Sequence, residues 1–250
     1  SNSNYGKTGA VDFNNRRPMT SVYETEHRVL ATLRSKHYFF GADKPTTFTL
    51  IYERKSGLPA YPTFDTFTGW TGDYKTKAFG YDYNLNDDSS SMLYIPTRND
   101  PKVCYSYKCY TEGSADAIAR EKAVLDLLYG VFGLEGKAGQ IADRGSMTFP
   151  SQTSLDFKVT QILPGFRADD EFIITLGIEN LLNLIDDDKG VVRYGYYSGR
   201  IPVIDLRIVD GDKYDYSRNA YRYNFDNPYN MSLSATQSVW RAQLGFKYNF

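Results

Sequence analysis

From Trp240 to the last residue, Phe250, apolar and polar side chains alternate without a break. Trp240, Ala242, Leu244, Phe246, Tyr248 and Phe250 fall on one side, and Arg241, Gln243, Gly245, Lys247 and Asn249 on the other. A period of two is the mark of a β-strand, because successive side chains point to opposite faces of a sheet. About ten alternating residues with aromatics near both ends match a tilted strand crossing an outer membrane. The same period recurs four times upstream. Val29, Ala31, Leu33, Ser35, His37 and Phe39 alternate with Arg28, Thr32, Arg34 and Lys36. After a turn at Gly41-Ala42-Asp43-Lys44-Pro45, Phe48, Leu50 and Tyr52 alternate with Thr47, Thr49 and Glu53, and the two stretches predict a hairpin. Leu155, Phe157, Val159 and Leu163 oppose Ser154, Asp156, Lys158 and Thr160. Beyond a turn over residues 164–170, Phe172, Ile174, Leu176, Ile178 and Leu182 oppose Thr175, Gly177, Glu179 and Asn183.

Two long stretches interrupt this rhythm, residues 58–153 and 185–237, both rich in polar residues and tyrosine. The first reads as irregular except for one helix, with Ser114 as N-cap and Ile118, Val124, Leu125, Leu128 and Phe132 on its apolar stripe. Residues 61–67 and 78–83 within it read as strand extensions. Loops beyond about 15 residues are unusual in a compact soluble domain. Short and long connections alternating strictly are instead the habit of outer-membrane barrels, with short periplasmic turns and long extracellular loops. That order puts Phe250 at the periplasmic end and both long stretches outside. The polar faces fit the same scheme. Arg28, Arg34, Lys36, Lys158, Arg241 and Lys247, with Glu53, Asp156 and Glu179, would line a lumen. A basic residue facing lipid at mid-depth costs about 2–4 kcal/mol.

Composition narrows the reading further. The 250-residue chain carries a net charge of −1, which offers no basic surface for nucleic acid. Its outlying number is tyrosine, 22 beside 15 Phe but only 2 Trp, and Tyr favours strands, interfaces and recognition surfaces. The mean hydropathy of −0.50 and the lack of a long apolar run exclude a transmembrane helix, whereas a barrel dilutes its apolar residues one in two. Ser1-Asn2-Ser3-Asn4-Tyr5-Gly6 has neither the basic nor the apolar region of a signal peptide, so a leader has been removed or the chain begins partway through a longer protein.

Candidate chemistry is sparse. Cys104 and Cys109, with four residues between them in the first long stretch, suit either a small disulfide loop outside a reducing compartment or two unpaired thiols, and lack the second pair that a zinc site needs. Asp186-Asp187-Asp188 lacks the ligand spacing of a calcium loop and reads as a solvated turn, as do Asp210, Asp212 and Asp215. His27 and His37 stand too far apart along one strand to share a metal, and read as interface residues. No nucleophile elbow, metalloprotease helix or phosphate-binding glycine loop occurs, so no enzyme, metal or cofactor is expected. Tyr194, Tyr196, Tyr197, Tyr214, Tyr216, Tyr221 and Tyr223, in the second long stretch, are the candidates for ligand binding, the alternative being that they pack the loops together.

Several stretches, taken in order, resemble TonB-dependent outer-membrane receptors, in particular the Oar-like branch. They are residues 48–59 (FTLIYERKSGLP), 93–96 (LYIP), 139–145 (GQIADRG) running into 155–164 (LDFKVTQILP), 178–184 (IENLLNL) and 240–250 (WRAQLGFKYNF). The cysteine pair and the Tyr- and Asp-rich loops depart from the family, so the resemblance stops short of a substrate. It implies a 22-stranded antiparallel transmembrane barrel, an N-terminal plug, and partners in the TonB complex and the barrel-assembly machinery. It also implies that Trp240, Phe246, Tyr248 and Phe250 carry the assembly signal. Five strands cannot close such a barrel, because an open edge in lipid leaves backbone groups unpaired. The expectation is therefore an all-β C-terminal barrel segment spanning residues 1–250, with the plug and remaining strands elsewhere. It would take part in uptake or, alternatively, in adhesion, export or surface assembly.

Overall fold

The computed structural model of the chain describes residues 18–68, 75–84, 91–167, 169–195, 199–209, 213–218, 228–229 and 231–250. Strands predominate. In chain order they are β1 (Arg28–His37), β2 (Thr46–Lys55), β3 (Pro59–Thr68), β4 (Lys75–Ala78), β5 (Tyr81–Asn84), β6 (Tyr94–Ile95), β7 (Val103–Cys104) and β8 (Gln140–Ile141). They continue with β9 (Met147–Thr148), β10 (Gln152–Pro164), β11 (Glu171–Glu179), β12 (Arg193–Tyr194), β13 (Arg200–Ile208), β14 (Tyr214–Asp215), β15 (Ser232–Leu233) and β16 (Arg241–Asn249). The helices are α1 (Ala115–Leu125), α2 (Leu181–Ile185) and α3 (Ala235–Ser238). No helix among the described residues is long and apolar enough to cross a membrane.

The chain divides into two compact units. One comprises residues 25–57, 150–194 and 232–250, and its centre is a five-stranded antiparallel sheet in the order β1-β2-β10-β11-β16. These are the five alternating stretches, joined by short turns at one end and left by both long connections at the other. The continuous ladders Leu33↔Leu50↔Phe157↔Ile178↔Ala242 and Ser35↔Phe48↔Val159↔Leu176↔Leu244 cross all five strands without a bulge. Strand β11 is shorter than its alternation suggests. Asn180, in the left-handed region at φ 54°, ends it, and Leu182 and Asn183 lie in the helical turn α2 rather than in the strand. Asn180 earns that conformation through its partners. Its N–H donates to Asp156 Oδ1 at 2.8 Å, and its Nδ2 donates to the carbonyls of Gly190 at 2.9 Å and Ser238 at 2.6 Å. One buried amide thus ties the strand end to the two segments that run past it.

The other unit comprises residues 1–24, 58–149 and 195–231. The two long stretches, expected to be mostly irregular, instead build a unit with its own core. Strands β3 and β13, one from each stretch, pair in parallel, and so do β7 and β14, so the protein is not purely antiparallel. Gly199, at φ +72°, lets the chain approach closely enough for its carbonyl to accept from Tyr61 N–H at 2.9 Å; a Cβ there would stand 2.6 Å from the Pro59 carbonyl oxygen. Strands β6 and β8 bring LYIP and GQIADRG side by side. Helix α1 starts where expected, with Ser114 accepting from Ala117 N–H at 3.3 Å, and runs on into a wide turn over Asp126–Val131. Ile118 is the exception to its stripe, since it faces solvent while Ala117, Val124, Leu125, Leu127 and Leu128 are buried.

An aromatic stack forms the centre of this core. Phe79, left-handed at φ 51° in the two-residue turn between β4 and β5, sets its ring 3.8 Å from Tyr214 and 4.2 Å from Tyr94. Its N–H donates to the Tyr214 hydroxyl at 2.8 Å. A non-glycine residue holds that backbone conformation only where its surroundings over-determine it. Phe79→Ala is therefore expected to lower the stability of this unit by about 3–5 kcal/mol, read as a shift in the denaturant midpoint of its tyrosine signal. A shift under about 1 kcal/mol would show that the ring does not organise the core.

Candidate functional site

The five-stranded sheet has one mainly apolar face and one that mixes charge and threonine with a few apolar side chains, Leu30, Ile51, Ile162 and Ile173. The register places Val29, Ala31 and Leu33 on one of them, beside Phe48, Leu50, Tyr52, Leu155, Phe157, Val159 and Leu163. Phe172, Ile174, Leu176, Ile178, Ala242, Leu244, Phe246 and Tyr248 continue the same face. Ser35, His37, Thr46 and Gln161 interrupt it towards the short-turn end, where Thr46 hydrogen-bonds Gln161, and Arg54 is its one permanently charged side chain, at the opposite rim. None of the apolar side chains just named is buried. Leu33 is 68% exposed, Leu244 58% and Phe246 63%, and the protein's buried core draws nothing from this sheet.

The other face holds the nine charged residues expected to share it, from Arg28 and Glu53 to Arg241 and Lys247, together with Thr32, Thr47, Thr49, Thr160 and Thr175. Arg28 Nε contacts Glu53 Oε1 at 2.8 Å. Both outer edges of the sheet, along β1 and β16, lack a partner strand among the described residues. Aromatics gather at the short-turn end. Tyr38, Phe39, Phe40, Phe166 and Phe250 are exposed, and Tyr248 stands 5.8 Å from Phe166 and 6.5 Å from Phe250. The Tyr248 hydroxyl bonds the Asp170 carboxylate and accepts from Phe166 N–H at 3.2 Å, so the turn and the last strand are fastened together. Trp240 lies exposed at the other end.

The tyrosines singled out from the sequence separate. Tyr214 and Tyr216 are not surface residues. They are buried, Tyr214 accepts from Phe79 N–H, and the Tyr216 hydroxyl donates to the Tyr94 carbonyl at 2.9 Å. Tyr194 is exposed on β12, while Tyr196, Tyr197, Tyr221 and Tyr223 lie outside the described residues. The structure exposes a different pair, Tyr107 on the loop closed by a disulfide between Cys104 and Cys109, and Tyr110 directly after it. Cysteine spacing was the only signal in the sequence that this loop is held rigid.

Asp215, read from the sequence as loop surface, is instead 1% exposed by its side chain and anchors that loop. Its Oδ2 accepts from Lys108 N–H at 2.9 Å and from Arg207 Nη1 at 3.0 Å, and its Oδ1 accepts from Ser217 N–H at 2.7 Å. The Arg207 guanidinium lies 4.4 Å from the Tyr107 ring centre. Asp210 and Asp212 lie outside the described residues. The Glu112 carboxylate and the two sulfurs fall within 4.8 Å of one another. Sulfurs bonded to each other offer no thiolate, so this is not a ligand set for a metal in the disulfide form. The Asp186–Asp188 turn closes on itself: Asp186 accepts from Asp188 N–H and pairs with Lys189 at 3.0 Å, and the Lys189 hydrogen bond holds its carboxyl below the usual range.

No protein-family model, curated protein or solved structure matches this chain.

Burial, reinforced by nearby carboxylates, pushes the Tyr94 and Tyr105 hydroxyls well above the ordinary tyrosine pKa. In the unfolded chain both would ionise near pH 10. Their neutral forms therefore stabilise the fold fully below about pH 10, and that contribution is lost as pH rises beyond it. A spectrophotometric titration should leave two or more tyrosines neutral until the unit unfolds, and Tyr105→Phe should move alkaline unfolding to higher pH. Ordinary titration of every tyrosine near pH 10 in the folded protein would contradict this.

Proposed function

We propose that the five-stranded unit is a sector of an outer-membrane β-barrel, and that the protein acts as part of a TonB-dependent transport receptor whose long connections help to capture a substrate. The observation that carries the reading is the apolar face of the sheet, uncovered by any buried protein layer while charges collect on the reverse face. Burying one Val, Leu, Ile or Phe side chain is worth about 1.5–3 kcal/mol. A face this wide cannot stay against water, and hydrocarbon is the environment that suits it. Thr and charged side chains on the reverse suit a wet lumen. The exposed aromatics at the short-turn end, with Trp240 at the other, match the girdles at two lipid–water interfaces.

The open edges support the same reading. Strands β1 and β16 run in the same direction, so an antiparallel barrel closes only if an odd number of further strands lies between them. Those strands, and the plug through which the TonB complex would act, would come from elsewhere in a longer chain or from a partner. Phe250 would then sit at the periplasmic rim, available to the barrel-assembly machinery, and the two long connections would face outwards. The resemblance of the six sequence stretches to TonB-dependent receptors is the support for energy-coupled uptake in particular. One observation favours a second reading, surface adhesion or assembly: the long connections form a unit with its own core and one disulfide-closed loop, which a simple pore does not need.

Substitution on the two faces tests the membrane assignment. Leu244→Arg should weaken folding into bilayers by about 2–4 kcal/mol, whereas Gln243→Arg, one residue away on the reverse face, should change it by less than about 1 kcal/mol. Insertion into outer-membrane vesicles and the change of gel mobility on boiling in detergent report the outcome. Equal tolerance of both substitutions, or a chain that stays in the aqueous fraction with unchanged mobility, refutes the barrel. Loss of nutrient uptake without loss of surface adhesion, in cells lacking the protein, separates transport from adhesion.

A further inference from the structure

We propose that the disulfide-closed loop carrying Tyr107, with Tyr110 directly after it, is a binding site for an acidic saccharide, with the Tyr110 ring as the stacking surface, the Tyr107 phenol as a hydrogen-bonding group and Lys108 as the partner of the sugar's carboxylate or sulfate group. The described tyrosines near this loop in the chain's fold, Tyr94, Tyr105, Tyr214 and Tyr216, are all buried, whereas Tyr107 is 57% exposed and Tyr110 74%. Their rings meet edge to face at 6.2 Å.

The loop that presents them is held rather than free. Lys108 and Cys109 are consecutive non-glycine residues in the left-handed region, at φ 49° and 59°, a conformation that the backbone adopts only where its surroundings impose it. Three constraints impose it here. The Cys104–Cys109 bond closes the loop, buried Asp215 takes the Lys108 N–H, and Arg207, itself fixed by Asp215, lies against the Tyr107 ring. Rings fixed in advance lose little further freedom on binding, which is how a small surface gains affinity.

The charges around the rings select the ligand. Arg207 is paired with Asp215, and Lys213 with Glu112 at 3.0 Å. The Lys108 ammonium has, among the described residues, only the Tyr107 ring, at 5.7 Å. One uncompensated positive charge therefore stands beside two exposed amphipathic rings. A pyranose offers a flat C–H face for the Tyr110 ring and hydroxyls for the phenols, and an acidic substituent completes the match with Lys108. A cationic ligand would meet Lys108 and find the Tyr107 ring already contacted by Arg207. A neutral sugar would leave Lys108 unused. A protein partner needs roughly 800 Å² on each side, far more than two rings provide.

The test uses the full chain in detergent micelles on a printed panel of neutral, uronate-bearing, sulfated and sialylated oligosaccharides. At least one acidic class should be retained above its neutral counterpart. Tyr110→Ala should weaken that retention by about tenfold or more, as loss of an aromatic anchor does. Lys108→Asn, which tolerates the left-handed backbone, should abolish the preference for acidic over neutral members. Dithiothreitol should release the loop and lower retention, while Tyr23→Ala, an exposed ring elsewhere, should leave it unchanged. Near-ultraviolet circular dichroism of each variant verifies that the unit remains folded. The proposal is overturned if no acidic member is retained above the neutral ones, or if folded Tyr110→Ala or Lys108→Asn protein binds as the parent does. It does not rest on the membrane reading, because boiling-dependent mobility and retention on the panel are read separately.

Discussion

An apolar sheet face must be covered, and that requirement governs everything else about the five-stranded unit. Strand pairing satisfies the backbone between β1 and β16, but it leaves a broad face of Leu, Ile, Val and Phe without a buried layer against it. In a water-soluble sandwich a second sheet or a helix would supply that layer. Here the described chain spends its other apolar residues on a separate core, and the sheet retains its exposed face. On the proposed reading lipid does the covering, and the features at the rims follow from it: polar interruptions and aromatics towards the turns, charge on the reverse face, and edges that await further strands.

The second unit answers a different constraint. Its segments arrive from two connections far apart in sequence, and they can only be joined by long-range pairing. Parallel association of β3 with β13 does this, and the surrounding core is aromatic rather than aliphatic. Phe79, Tyr94, Tyr214 and Tyr216 interlock by ring contacts, while their hydroxyls and amides are used inside the core. A buried carboxylate, Asp215, then fixes the cysteine loop from below. Two strained backbone regions, at Phe79 and at Lys108–Cys109, sit within the aromatic stack and where the loop is tied, which is how such conformations persist.

Legibility in the sequence followed the kind of burial. The five strands of the sheet were readable because one face of each is apolar and the other polar, so a period of two survives in the residues themselves. Ser114 and the start of α1 were readable because a capping residue before an apolar stripe is a local signal. Strand β13 was not. Ile201, Val203, Ile204 and Leu206 are all buried, so the segment carries no alternation, and Pro202 and Asp205 disguise it as loop; β3 showed as a strand extension over residues 61–67, but nothing in it pointed to β13 as its partner. The end of β11 was misread because Leu182 continues the alternation by chance, whereas the left-handed Asn180 that ends the strand is held by partners up to 58 residues away.

The tyrosines mark the same boundary. Sequence alone determined the strands of the sheet, the chemistry of its two faces and the abundance of amphipathic rings, because these depend on nearest neighbours along the chain. Only the tertiary structure decided that Tyr214 and Tyr216 belong to a core while Tyr107 and Tyr110 stand exposed on and directly after a fastened loop. It also decided that Cys104 and Cys109 are joined, and that Asp215 is an anchor rather than a surface charge. The burial of Tyr214 and Tyr216 and the anchoring by Asp215 depend on contacts between segments that the chain separates by about a hundred residues, for which neither composition nor periodicity carries a signal.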